Sequence, residues 1–172
     1  MGSAEAAASV DIGEKARALA LAIAKRDLIL LTGATTGIIH LIGQTARNAG
    51  VFHLGISPGA NQVEHTGHYH LPADACDVLV YTGFGLKGRN VVLVRSCDVV
   101  LFFAGSIGSL NEFTIAYDEG KVIGCLEGTG GVADEARRVA ATFAKPTTAR
   151  IVYESEPERL IDQCLEICAA AR

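Results

Sequence analysis

Strand-like and helix-like stretches alternate along nearly the whole of this chain, and several strand-like runs reach the next helix through a turn of small residues. Residues 28–31 lead into Thr32-Gly33-Ala34-Thr35-Thr36-Gly37, residues 78–81 precede Gly83-Phe84-Gly85-Leu86-Lys87-Gly88, and residues 98–103 run into Ala104-Gly105-Ser106-Ile107-Gly108-Ser109. Short apolar runs without polar alternation are typical of parallel strands covered on both faces. Strands separated by helices call for crossover connections. The order therefore predicts an α/β fold: a three-layer, Rossmann-like, mostly parallel sheet of about six strands with helices on both faces. Its ligand site would lie beyond the carboxyl ends of the strands.

The boundaries follow from local chemistry. Asp11 with Glu14 reads as a capping box ahead of a helix over 12–25, and Gly50 stops a helix over 38–48. Further strands fall at 51–56, 122–126 and 150–153, and further helices at 108–119, 132–144 and from 156. Gly128-Thr129-Gly130-Gly131 is one more glycine-rich junction. A longer connection carries Ser57-Pro58-Gly59 and a His-rich segment.

Composition narrows the partners. A length of 172 residues fits a single domain over residues 1–172 with a full-sized core. Hydrophobic residues at 49% and a net charge of -4 argue against disorder and against a polyanion, so no nucleic acid partner is expected. No apolar run approaches the roughly 20 residues that span a bilayer, and no signal-peptide pattern opens the chain, so a cytoplasmic protein without a membrane partner is expected. The cysteines, Cys76, Cys97, Cys125, Cys164 and Cys168, are odd in number and form no CxxC pair; they read as reduced and mostly buried.

Three turns could carry chemistry. At a strand-to-helix junction the first helical N–H groups lack intrahelical partners and carry the positive end of the dipole, which favours an anion, above all phosphate. Gly105, Ser106, Ile107, Gly108 and Ser109 would offer backbone to such a ligand, as would Gly33, Ala34, Thr35, Thr36 and Gly37. The first turn matches neither GxGxxG nor the P-loop, and a tight packing turn is its alternative reading. Arg89, read as lying at the start of its helix, is either solvated or answers an anion or Glu112, since a cation gains nothing at that helix end. Glu112 also has two readings. Ser109-x-x-Glu112 spells a capping box, and a carboxylate in a first helical turn is also held rigidly at a ligand. His65, His68 and His70 lie close in sequence, but HxxHxH has neither a closed metal-site spacing nor the glutamate base of HExxH enzymes. A loop or lid over the ligand is expected there, with no metal site.

Together these features resemble the LOG-like branch of Rossmann nucleotide-binding proteins, which includes cytokinin-activating phosphoribohydrolases, long mislabelled lysine decarboxylases, and molybdenum-cofactor carrier proteins. That branch carries a glycine-rich turn after an early strand, an Arg about nine residues before a strand Asp, and then PGGxGTxxE. Thr32 to Gly37, Arg89 with Asp98, and Ala104 to Glu112 take those places from about residue 11 onward. The resemblance implies binding of a nucleotide or other phosphate-bearing ligand. It also implies hydrolysis of the N-glycosidic bond of a nucleoside 5′-monophosphate, with Arg89 and Glu112 as catalytic residues. Its alternative is a non-catalytic carrier or sensor of the molybdenum-cofactor-carrier type, with no cofactor required and the molybdenum cofactor or a nucleotide as ligand. Ala104, Ser106 and Ser109 replace Pro, Gly and Thr of the motif, and Asn90 replaces the Lys that follows the Arg; Arg89-Asn90 with Asn111-Glu112 is more similar to the carrier-like and uncharacterised nucleotide-binding members. Relatives in this branch associate, so a homodimer or homotetramer is expected. The strand that usually precedes the first helix has no counterpart, so six strands rather than seven are expected.

Overall fold

The computed structural model describes residues 1–2, 10–143 and 145–170, which fall into two compact units. One unit comprises residues 10–93, the other Met1, Gly2 and the described residues of 94–143 and 145–170.

In the first unit, α1 (Val10–Ala24) is followed by β1 (Leu30–Thr32), α2 (Ile38–Asn48), β2 (His53–Ser57), β3 (Val78–Tyr81) and most of α3 (Gly85–Arg95). The strands form a parallel sheet in the order β1-β2-β3, with Leu31 opposite Leu54 and Gly55 opposite Leu79. Ala16, Leu19, Ala20 and Ile23 repeat at helical spacing and bury one stripe of α1, which packs on α2. Asp11 lies inside the first turn of α1, so it does not cap that helix as its spacing to Glu14 predicts. The N–H of Gly50 returns to Arg47 and that of Val51 to Ala46, the bonding of a Schellman motif, with Gly50 at φ 90° where a Cβ would be strained. Gly50 ends α2 as predicted.

In the second unit, β4 (Val99–Phe103), α4 (Ile107–Asp118), β5 (Val122–Leu126), α5 (Gly131–Phe143), β6 (Arg150–Glu154) and α6 (Pro157–Ala170) build a second parallel sheet, ordered β4-β5-β6. Alternation along the strands sorts the core into layers. Val100, Phe102, Ile123 and Cys125 meet Phe113 and Ala116 of α4 and Val132, Ala133 and Ala136 of α5. Gly124 turns the other way, where a Cβ would press on Leu101, Cys164 and Leu160, so α6 covers the opposite face. Phe102 and Phe113 meet edge to face with ring centroids 5.6 Å apart, which fixes α4 on the sheet beyond what area burial alone would give.

Six strands are present among the described residues. Beside β4, Gly2 forms a single parallel bridge with Phe103, whose N–H donates to the carbonyl of Met1 at 2.9 Å. The stretch ahead of the first helix, where no strand is expected, falls largely outside the described residues; Val10 opens α1. No disulfide forms among the cysteines, and burial pushes the thiols of Cys76 up to about 11 and of Cys125 and Cys164 up to about 12.

Gly120 ends α4 with the same pair of returning bonds that Gly50 makes after α2, but there a Cβ would overlap the Thr148 hydroxyl. Gly50→Ala should cost about 1 kcal/mol through left-handed strain alone. Gly120→Ala should cost more, because it adds a clash. Urea unfolding of the two variants checks the order.

Candidate functional site

Each strand of the first sheet ends in, or is followed directly by, a hydroxyl residue that fixes the turn after it. The N–H of Ala34 donates to Thr32 Oγ1 at 3.1 Å, that of Gly59 to Ser57 Oγ at 3.1 Å, and that of Phe84 to Thr82 Oγ1 at 3.3 Å. Such short side-chain loops replace the ladder bonds that a strand loses as it turns. Each hydroxyl has a second partner. Thr82 donates to the Ser57 carbonyl, Thr32 bonds Nε2 of His53 at 2.8 Å, and Ser57 bonds Nδ1 of His65 at 2.8 Å. The proton positions follow from the other ring nitrogens. His53 Nδ1 faces the Ala75 carbonyl and His65 Nε2 the Pro72 carbonyl, so those nitrogens donate, and the nitrogens facing the hydroxyls accept.

The first candidate turn is therefore held from below. Thr32 anchors it, Ala34 sits at φ 49°, and Gly33 lies against the guanidinium of Arg89, which a Cβ at residue 33 would overlap. Arg89 is 5% exposed and donates to Asn90 Oδ1 at 2.9 Å. It occupies the second turn of α3, which begins at Gly85, and so neither stands at the helix start nor is solvated. Its distance from the dipole end explains why a cation is tolerated there. Beyond Arg89, the turn opens. Thr36 is exposed and Gly37, at φ 68°, starts α2 with no side-chain cap.

Thr36 and Gly37 share a cleft of about 450 Å³ with His40, Thr66, His70, Leu71 and Pro72. The His-rich segment is a π-helical turn over Glu64–His68 rather than an open loop, and it sends its imidazoles in different directions. His65 is buried on Ser57, His68 meets the Tyr69 ring edge to face at 4.7 Å, and His70 lines the cleft at φ 52°. The lid expectation fails for His65, because its distant partners Ser57 and Pro72 draw it into the core.

The second candidate turn belongs to the other unit. Ala104 at φ 50° and Gly105 at φ 110° carry the chain from β4 to Ser106, which opens α4 without a side-chain cap; no acidic residue stands in the first turn of that helix. Ile107 is 74% exposed, Ser106 is exposed and Gly108 half-buried. Ser109 is buried, its hydroxyl donating to the Gly2 carbonyl at 3.2 Å. The capping box predicted for Ser109 and Glu112 is absent: α4 starts at Ile107, so Ser109 is its third residue and Glu112 its sixth. Glu112 is 6% exposed. The S-x-x-E spacing misleads because the helix start is set by bonds to another element, α5. Sequence reasoning passed over Thr129, whose Oγ1 accepts the Ala104 N–H at 2.8 Å and donates to the Leu126 carbonyl at 2.7 Å. It also passed over Ser57 and Thr82 as turn anchors. A recurring signal could have found those two: a hydroxyl closing an apolar run, then Gly or Pro, as in Thr32-Gly33, Ser57-Pro58 and Thr82-Gly83.

Parallel strands layered with helices, with small-residue turns at the strands' carboxyl ends, define a three-layer Rossmann-like protein. The chain belongs to the SLOG cluster4 family, whose model matches residues 1–161. It is similar to the molybdenum cofactor binding protein from the phototrophic bacterium Rippkaea orientalis, at 28% identity and a TM-score of 0.76, over 97% of this chain and 93% of that one. It is also similar to TM1055, at 25% identity and a TM-score of 0.75, over 95% of this chain and 96% of that one. An uncharacterized protein of Archaeoglobus fulgidus is 28% identical over 105 residues. That match covers 61% of this chain and 64% of the relative's length, under two thirds of that protein. The resemblance to the LOG-like and molybdenum-cofactor-carrier-like branch therefore holds at the level of family and fold. No helix among the described residues is long and apolar enough to cross a membrane.

The His53 network has a measurable signature. Burial lowers the pKa of this ring, so the unfolded chain takes up its proton before the folded one does. The stability the neutral ring contributes is complete above about 6.5 and is lost as pH falls through the lowered folded value. Unfolding free energy should therefore decline from pH 7.5 to 5, and His53→Asn should flatten that decline. Asp77, held low by the His53 N–H and by Arg47, acts only in more acidic solution. Equal slopes for both proteins would contradict the assignment.

Proposed function

We propose that this protein binds small phosphate-bearing molecules of the nucleotide or pterin type, as a carrier or sensor, and that each unit carries its own candidate anion site, the start of α2 after β1 in one and the start of α4 after β4 in the other. One contrast among the helices carries the reading. The Asp134 carboxylate accepts the N–H groups of Gly128 and Gly130 at the start of α5, and Glu154 accepts those of Ser155 and Glu156 ahead of α6. The chain thus supplies its own anion at those two ends. At α2 and α4 it supplies neither a side-chain cap nor an acidic residue in the first turn, although both follow glycine-bearing turns. A helix start left in that state favours an external anion. Similarity to a molybdenum cofactor binding protein over nearly the full chain supports a phosphate-bearing cargo.

In this proposal Gly33, Ala34, Thr35, Thr36 and Gly37 form the backbone cradle of the first unit, stiffened by Arg89, and Gly105, Ser106, Ile107, Gly108 and Ser109 form a separate cradle in the second. Ser109 takes part through its N–H, since its hydroxyl is committed to Gly2. Thr36 and Gly37 open on the cleft with His40 and His70, which suits the non-phosphate part of the ligand.

A second reading, hydrolysis of a nucleoside 5′-monophosphate, is favoured by the buried Glu112, which does not cap its helix. A carboxylate there would stabilise the positive charge that develops on ribose as the glycosidic bond breaks, with the start of α4 holding the 5′-phosphate.

Thermal melts separate these readings. AMP or molybdopterin should raise the melting temperature in a concentration-dependent way while adenosine does not. The absence of a shift with either phosphate-bearing ligand would overturn the binding proposal. Incubation with purine monophosphates should release no free base under the carrier reading. Release that Glu112→Gln abolishes, in a variant that still binds AMP, would establish the hydrolase instead.

A further inference from the structure

We infer that Thr129 and the first turn of α5 are positioning elements that aim the peptide N–H groups of Gly105 and Ser106 toward the ligand. This rests on the phosphate-binding reading of the β4 turn. Three bonds hold that turn from one side. The Ala104 N–H donates to Thr129 Oγ1 at 2.8 Å, the Ala133 N–H to the Ala104 carbonyl at 2.9 Å, and the Val132 N–H to the Gly105 carbonyl at 3.1 Å. In a trans peptide the C=O and N–H of one unit point in opposite directions, and the described residues contain no cis peptide. Drawing the carbonyls of Ala104 and Gly105 onto α5 therefore turns the N–H groups of Gly105 and Ser106 away from α5. Ala104 at φ 50° and Gly105 at φ 110° bend the chain over this short stretch.

The glycines fit this role. A Cβ on Gly131 would overlap the Gly105 carbonyl, so only glycine lets α5 start close enough for Val132 and Ala133 to reach the turn. A Cβ on Gly105 would press on Ser109 at 2.7 Å. The glycine-rich junction after β5 is thus no second anion site. Asp134 already occupies the Gly128 and Gly130 N–H groups, and the first α5 amides are committed to the turn. Its function is to hold the junction after β4. Thr129 is 6% exposed, and its hydroxyl ties both ends together by also donating to Leu126.

The test compares the wild type with Thr129→Val, which removes the acceptor, and Thr129→Ser, which keeps it. AMP is titrated at a temperature where circular dichroism shows all three folded. Thr129→Val should weaken AMP binding by about tenfold, and Thr129→Ser should bind within about twofold of the wild type. Equal affinity for all three proteins would overturn the positioning role while leaving the binding site intact. Failure of the wild type to bind AMP, inorganic phosphate or molybdopterin would overturn the underlying reading instead. Amide spectra of the wild type give a measurement that needs no variant to fold. AMP should shift the Gly105 and Ser106 resonances more than those of Val132 and Ala133, and the reverse order would refute the inference.

Discussion

A parallel strand cannot turn straight into its neighbour, so its last residues must leave the ladder and still satisfy their backbone groups. In the first unit of this protein that need is met three times by the same device, a hydroxyl at the strand end that accepts the N–H two residues on. Much of the unit is arranged around those hydroxyls. Two of them require a buried imidazole, and each imidazole requires a backbone carbonyl on its far nitrogen. The histidines at positions 53 and 65 are therefore scaffold residues whose proton positions are set by the turns.

The second unit solves the same problem with a neighbouring junction. Thr129 and the first α5 amides take up the backbone groups that β4 gives away at its end. The two solutions differ in where the support comes from. In one case it is local to each strand, and in the other it is borrowed from the next β-to-α connection, which ties α5 to the geometry of the α4 start.

Much of this architecture was legible in the sequence, for a physical reason. The bounds of β3 and β5 are those predicted, because Val78–Tyr81 and Val122–Leu126 are continuous apolar runs with polar or glycine residues on both sides. The stop at Gly50 was legible because a left-handed helix end selects glycine locally. The misreadings share one cause. Asp11, Ser109 and Glu112 carry capping patterns, but whether a capping pattern operates depends on where the helix starts, and for α4 that is decided by contacts 25 or more residues away. His65 read as a lid residue, and the solvated alternative stayed open for Arg89, because the partners that bury them, Ser57, Pro72 and Gly33, are not adjacent in the chain. The candidate turns themselves were visible as small-residue junctions. What holds them was not.

The contact between Gly33 and the Arg89 guanidinium ties together two positions that lie far apart in the chain. Any side chain at residue 33 would displace the arginine, while a smaller residue at 89 would leave a hollow beneath the turn. Neither position can drift alone. Across related chains the pair should be inherited as a unit, glycine with arginine, and a lineage that has lost the arginine should be free to place a larger residue in the turn. That joint inheritance would be a record of the packing, readable in sequences for which no structure exists.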